Sequence, residues 1–544
     1  MRRIRAIGGP GFTRVDDIPG RCTLVFLLAL PGLLASGPMN AIDSNSALPG
    51  RHAGTGIVVG LEYAVLDNLR LVQGMARAYA ETGMTGMKHY PEAVAWGAMQ
   101  TGADRPIDFT KLDWFVREYQ RSGFTELTVC LKPHCRWGSK HISLLSKDTN
   151  PSPKSEYRPH FERWVSAVVE RYDGDGAADM PGLRWPVRYI EIGSELSSYE
   201  PEPVTDYLDT LGLAYRAAHR ANPNVLVGHV AFLITPVDLN VDDPVDYPRA
   251  WAETKLPDKS HGLADQRAVL DQPQIFDFVN VHNLGWPYEI EDIVRWLKYE
   301  MGLRRYHKPI VVSDTFPTSY IGWGPATVCT GPRLGTLVVP ATEADRCHIA
   351  EFFKRLVDKD PATLAWTRGF VAADHVQRTI VAAEQGVSLI NLSYTGDISF
   401  ATWPLFQAGA GISAWAGALH VEMLTGAVRE RYPLFVAIKQ LMSHLEGYVS
   451  VERVPYPDDR VRVYLVKKES ERFWVAWYNP AKVVLPDAEV RPSTITIDTG
   501  SARVVLEPVV TKLGQAGPVP TVMPTAGGIA KLTVTRVPVF VIPQ

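Results

Sequence analysis

The chain has 544 residues, 46% of them apolar and 21% charged, enough to build extensive cores and to exclude a globally disordered protein. Lysine and arginine number 56 against 59 aspartates and glutamates, so the formal net charge is −3. That balance argues against a broad nucleic-acid or acidic-lipid surface, and the 43 Gly and 41 Pro speak for many turns rather than a helical bundle.

Arg2, Arg3, Arg5, Arg14 and Arg21 precede the apolar run Cys22–Ala35, and small residues follow at Ser36, Gly37 and Ala41. A basic stretch, a short apolar stretch and a small-residue exit match a secretory signal. The run is shorter than the roughly 20 residues a bilayer span needs. Residues 1–41 are therefore expected to be an export segment leading to a secreted or periplasmic protein with no stable transmembrane span. A buried strand or an uncleaved anchor is the competing reading. Beyond this segment lie Cys130, Cys135, Cys329 and Cys347. Cys130 and Cys135 lack a second matching pair, a weak zinc signal. A Cys130–Cys135 disulfide and buried free thiols both remain open.

From residue 55 to about 415, apolar segments alternate with amphipathic ones. The expected strands are Ile57–Leu61, Gly83–His89, Leu127–Lys132, Val187–Ile192, Val225–His229, Phe276–His282, Pro309–Ser313 and Val387–Leu392. The expected helices are Asn68–Thr82, Asp113–Ser122, Tyr157–Tyr172, Thr205–Asn222, Ile290–Leu303 and Phe370–Gln385. Strands apolar on both faces are those of a parallel sheet covered by helices. Eight strand–helix repeats predict an α/β fold with a closed (β/α)₈ TIM barrel over residues 42–432. An open doubly wound sheet is the alternative, but no GxGxxG follows the first strand. Thr235–Gln274 and Phe316–Pro340 are long connections suited to a ligand-binding rim. After Pro433 a helix closes at Gly447. Short strands then follow at Tyr448–Arg453, Val461–Val466, Phe473–Trp477, Thr494–Ile497, Arg503–Leu506 and Lys531–Ile542. Residues 433–544 are thus expected to form a linking helix and an all-β sandwich, packed on the barrel or binding carbohydrate.

In VRYIEIGSELSSYEP, alternation places Glu191, Gly193 and Glu195 on one side of an extended segment, and Glu195 can project from the strand's C-terminal end. In KPIVVSDTFPTSY, Asp314 directly follows an apolar strand. Two carboxyls converging on a sugar have a chemical use: one protonates the leaving oxygen while the other attacks or stabilises the cationic anomeric centre. Each residue read locally is equally a solvated carboxylate, an ion-pair member or a turn cap. Glu62, Lys88, His89, Lys132, His134, His282 and Asn283 also fall at strand ends, where they could bond sugar hydroxyls. Trp137, Trp286, Trp323 and Trp403 could stack on ring faces or pack in cores.

With RYIEIGSE, NVHNLGWPY, KPIVVSDT and QRSGFTELTVCLKP in view, the chain resembles the retaining glycoside-hydrolase clan built on a (β/α)₈ barrel. The likeness is greatest to the β-xylosidase/α-iduronidase-like families with a C-terminal β-sandwich, and it spans most of residues 55–544. It implies that Glu195 is the general acid/base, that Ser194 stands where a sugar-binding Asn is usual, and that Asp314 stands where a nucleophilic Glu is usual. His282 would contact nucleophile or substrate. Ser194 lacks the amide of Asn, and Asp314 withdraws its carboxylate by roughly 1–1.5 Å relative to Glu. The resulting expectation is a glycoside hydrolase acting on an oligo- or polysaccharide by retention, with no cofactor, no metal and no nucleic-acid partner. A glycan-binding protein with weakened catalysis, a transglycosidase and a lyase are the alternatives. Sugar, linkage and oligomeric state are not encoded legibly.

Overall fold

The computed structural model describes residues 56–143, 149–196, 200–233, 243–253, 261–315, 317, 343–392, 394–397, 411–480, 486 and 490–544. The expected export segment, Cys329, Trp323, Trp403 and most of the Phe316–Pro340 connection lie outside them.

Eight parallel strands make the barrel: β1 (Val58–Leu61), β2 (Gly86–Lys88), β3 (Glu126–Leu131), β4, β5, β6 (Val279–Asn283), β7 (Ile310–Thr315) and β8 (Leu389–Leu392). β4 comprises Tyr189–Ile192 and Glu195–Leu196, and β5 comprises Leu226–Gly228 and Ala231–Leu233. Each strand is joined in parallel to the next, from Gly86 opposite Glu126 through Thr128 opposite Tyr189 to Val279 opposite Ile310. The ring closes where Val58 pairs with Leu389 and where an Ala64–His89 bridge ties the β1 end to β2. All six residues of β3 and all six of β7 are buried, because helices cover the outer face while side chains fill the interior. β1 and β2 approach so closely that a Cβ on Gly60 would stand 2.7 Å from the Gly86 backbone.

The covering helices are α1 (Leu69–Ala80), α2 (Thr110–Arg121), α3 (Arg158–Arg171), α4 (Val204–Ala221), α5 (Leu263–Leu270), α6 (Glu289–Leu303), α7 (Glu343–Val357) and α8 (Pro361–Glu384). In α1, Leu71, Val72, Met75, Ala76 and Tyr79 form the buried stripe, and the Asn68 side chain caps it by accepting from the Leu71 N–H at 2.9 Å. α8 begins well before the expected Phe370. Asp360 caps it and Pro361 opens it, while burial around most of its circumference hides the one-sided periodicity a surface helix shows.

After α9 (Pro433–Leu445) come β9 (Tyr448–Arg453), β10 (Val461–Lys468), β11 (Arg472–Tyr478), β12 (Ser493–Asp498), β13 (Arg503–Pro508), β14 (Thr521–Pro524), β15 (Ile529–Val534) and β16 (Val539–Pro543). Six form one antiparallel sheet in the order β9-β10-β11-β16-β13-β14, and β12 and β15 form a second. The single strand expected over Lys531–Ile542 is therefore two strands in different sheets. Between them lies Pro538, which has no N–H to donate to a ladder. Val463, Trp474, Ala476 and Val541 face Ile495, Ile497 and Leu532 across the sandwich. Alternate residues Tyr464, Val466, Val475, Trp477 and Phe540 join the barrel's core instead. One sheet thus buries both faces.

That junction also carries a charge pair: Arg462 donates to the Glu291 carboxylate at 2.7 and 2.9 Å, and the Tyr464 hydroxyl donates to it at 3.0 Å. Glu291→Ala strands a largely buried guanidinium, so a loss of about 3 kcal/mol is expected in urea denaturation. A loss below about 0.5 kcal/mol would mean that solvent already screens the pair.

Candidate active site

The C-terminal ends of the barrel strands gather an ionisable cluster. Gly193, at φ +85°, breaks β4 between Ile192 and Glu195, a backbone conformation that L side chains avoid. Beyond the break, Glu195 pairs with Ala231 of β5, and its N–H donates to Glu200 Oε2 at 2.8 Å. Its Oε1 lies 2.9 Å from His282 Nδ1 on β6. The other ring nitrogen, Nε2, lies 3.1 Å from Ser313 Oγ on β7, beside Asp314. The β6–β7 register shifts between Val281 and His282, so that His282 stands opposite Asp314.

Beneath this group sits Lys88, wholly buried, with Nζ 2.9 Å from Glu191 Oε2 and 3.2 Å from Glu62 Oε1. Burial by itself disfavours the Lys88 charge, but Glu191 and Glu62 outweigh it and hold the ammonium well above its usual range. Burial raises the Glu62 carboxyl against the pull of Lys88 and His282. Burial, followed by the Glu62 charge, lifts Asp314 well above the carboxylate range, with Lys88 opposing and Glu195 adding to the rise. This surrounding therefore disfavours the charged form of Asp314.

Lys132, immediately after β3, lies between Glu92 Oε1 and Glu200 Oε1, both at 3.0 Å. Close by, Glu202 is 1% exposed, and neither carboxyl oxygen has a hydrogen-bond partner among the described residues. Burial, reinforced by the Glu200 charge, raises its pKa from 4.5 to about 8. The folded state therefore keeps a proton that the unfolded chain has released, and wild-type stability falls as pH rises through that window. Glu202→Gln removes this dependence. The variant should be up to about 3 kcal/mol more stable at pH 7 and no more stable near pH 4, as read from thermal unfolding across pH.

Other expected contacts are taken up by the scaffold. His89 is fully buried; its Nδ1 meets the Tyr90 carbonyl at 3.0 Å and its Nε2 accepts the Cys130 N–H at 3.1 Å. Burial lowers its pKa to about 4, so the ring is a neutral brace between β2 and β3 rather than a sugar ligand. Asn283 is fully buried as well, donating to Glu289 Oε2 at 3.1 Å and accepting from Arg378 at 2.9 Å. Trp137 packs edge-on against Trp96 with ring centres 4.8 Å apart, and its indole N–H donates to the Gln100 carbonyl at 2.8 Å. His134 lies on the same turn, its carbonyl accepting the Gly97 N–H at 2.8 Å. Trp286 is half-buried against the main core at the start of α6, and Ser194 is half-buried with its carbonyl accepting from the Ala231 N–H. Cys130 and Cys135 are buried free thiols, which removes the disulfide option between them, whereas Cys347 is disulfide-bonded.

Among the described residues, a tyrosine cluster lies beside the carboxyls, whereas Trp323 and Trp403 lie outside those residues. Tyr63 follows Glu62 at φ 65°, a strained conformation for a residue with a side chain. Its ring centre lies 5.3 Å from Tyr90 and 4.9 Å from Tyr394, and its hydroxyl feels the charges of Glu62, Glu92 and Asp314. The signal for these residues is positional: Tyr63 and Tyr90 each follow a barrel strand closely. Asp173, Asp175 and Asp179 bring carboxylate oxygens within 4.8 Å of one another. They lie on the α3–β4 connection at the opposite end of the barrel, where Asp173 and Asp179 accept loop N–H groups. No helix among the described residues is long and apolar enough to cross a membrane.

No protein-family model matches the sequence, and no curated protein matches it. Solved structures share the fold. A family 39 glycoside hydrolase from Bacteroides cellulosilyticus WH2 superposes with a TM-score of 0.53 at 13% identity, covering 90% of this chain and 81% of that one. A glucosidase from Croceicoccus marinus gives 0.52 at 12% identity, covering 90% and 96%. A family 51 α-L-arabinofuranosidase from Bifidobacterium longum gives 0.52 at 11% identity, covering 91% and 97%. At such identities the likeness establishes a barrel with a C-terminal β domain, an architecture that glycoside hydrolases use.

Proposed function

We propose that this protein is a glycoside hydrolase that cleaves O-glycosidic bonds of an oligo- or polysaccharide by retaining double displacement. The observation that carries this reading is the meeting of Glu195 from β4 and Asp314 from β7 at one barrel mouth, linked through His282 and Ser313. Glu195 protonates the departing glycosidic oxygen while Asp314 attacks the anomeric carbon. Ionised Glu195 then takes a proton from the water that displaces Asp314, so that two inversions give retention. His282 fixes the Glu195 carboxyl through Nδ1, and Ser313 orients the ring from the other side. The arginine-rich leader with its apolar run and the disulfide at Cys347 support export to an oxidising compartment.

The test is a glycan-cleavage screen with wild type, Glu195→Gln and Asp314→Asn, with NMR assignment of the first-formed anomer. Full activity in both variants overturns the assignment, and an inverted product overturns retention. The bias of the buried Asp314 carboxyl toward its neutral form favours one second reading, a glycan-binding protein without turnover. It predicts sugar binding by the purified wild type with no product.

A further inference from the structure

We propose that Glu62 and Asp314 form one proton-sharing pair in which Glu62 is a positioning residue that accepts the proton of Asp314 as Asp314 attacks. The two side chains are 2% and 5% exposed. Glu62 Oε2 and Asp314 Oδ1 are both buried without a hydrogen-bond partner among the described residues, and the Glu62 carboxyl lies close enough to Asp314 to favour its protonated form. Two carboxylates cannot face one another in a buried site with both ionised, so one proton between them accounts for both orphaned oxygens.

The surrounding charges say where that proton rests. Glu62 faces Lys88 from β2, Glu191 from β4 and His282 from β6; Asp314 faces Lys88, Glu195 from β4 and Tyr63 beyond β1. Lys88 forms its ion pair with Glu62 at 3.2 Å, which favours the anion on Glu62 and the proton on Asp314. Positive charge developing at the anomeric carbon reverses the preference. The proton crosses to Glu62 as the Asp314 oxygen–carbon bond forms, while the glycosidic carbon–oxygen bond breaks and takes the Glu195 proton. In the second half, water attacks the carbon, its proton passes to Glu195, and Asp314 leaves and recovers its proton from Glu62. This role rests on the glycosidase reading, whereas the pairing itself does not.

The test therefore begins without substrate. Stability is measured from pH 5 to 8 for wild type, Glu62→Gln, Asp314→Asn and the double variant. The slope in excess of the double variant's, which cancels the proton held by Glu202, counts the protons this pair retains on folding. Sharing predicts one proton in wild type, none in either single variant and none in the double. Counts of two, one and zero, or of zero throughout, overturn the pair. If Glu62→Gln alone does not fold, wild type and Asp314→Asn, each read against the double variant, still separate one-to-zero from two-to-one. With substrate, Glu62→Gln leaves a protonated Asp314 without an acceptor, so the acid limb of the kcat/KM profile should move up by a pH unit or more. An unmoved limb with a reduced kcat overturns the proton-accepting role. Absence of cleavage by wild type would reject the glycosidase reading and this role with it, leaving the proton count to judge the pair.

Discussion

Glu195→Gln is expected to lower kcat/KM about 10²–10⁴-fold on a natural glycoside while leaving the thermal midpoint near that of wild type. Gln keeps the shape of the side chain and an oxygen to accept from His282 Nδ1, 2.9 Å away in the parent, so the local hydrogen bonding survives. What it cannot supply is a proton. The loss should shrink for glycosides whose leaving group departs without protonation, because only the hydrolysis of the intermediate then calls on this residue. With such substrates the variant should show a burst of leaving group followed by slow turnover, and added azide should accelerate the slow phase. A uniform loss across leaving groups, with no burst, would remove Glu195 from the acid/base role.

Lys88→Met should produce the largest loss of stability, about 3–5 kcal/mol at pH 7 by urea denaturation. Lys88 is the cation shared by two buried carboxylates, Glu191 at 2.9 Å and Glu62 at 3.2 Å, and it reaches towards Ser313 as well. Its raised pKa means that its stabilisation is complete at neutral pH and is lost only in strong alkali. Without it, two buried carboxyls face each other's charge with no cation between them. Burial already raises the Glu62 carboxyl, and losing the cation raises it further, so the variant's stability should fall as pH rises and its deficit should be larger at pH 8 than at pH 5. A deficit that is constant with pH, or below about 1 kcal/mol, would mean that the cluster does not depend on this charge.

How far the site was legible follows from the kind of signal each residue leaves. Glu195 could be read because Gly193 and a strand alternation precede it, and Asp314 because it ends a run of apolar residues. Lys88 and His89 gave identical local signals, a polar residue at a strand end. Only coordinates separate them: one points into the acidic cluster, and the other lends both nitrogens to backbone. The tryptophans illustrate the same limit. Trp137 carries a broad apolar face that a sugar could use, and in the fold it is half-buried with Trp96 and Tyr157 packed edge-on against it. Among the described residues, Tyr63 stands by Glu62 and Asp314, with the rings of Tyr90 and Tyr394 against it.

The sequence by itself determined the alternation of eight buried strands with amphipathic helices, and hence the barrel, because burial on one or both faces imposes local periodicities. It also determined that a β-rich segment follows Pro433. The tertiary structure alone decided that Lys531–Ile542 divides between two sheets and that Glu62, Lys88, Glu191, Glu195, His282 and Asp314 share one interior. Charges from distant strands meet only when the ring closes, and the protonation of each depends on neighbours that no local stretch of chain specifies.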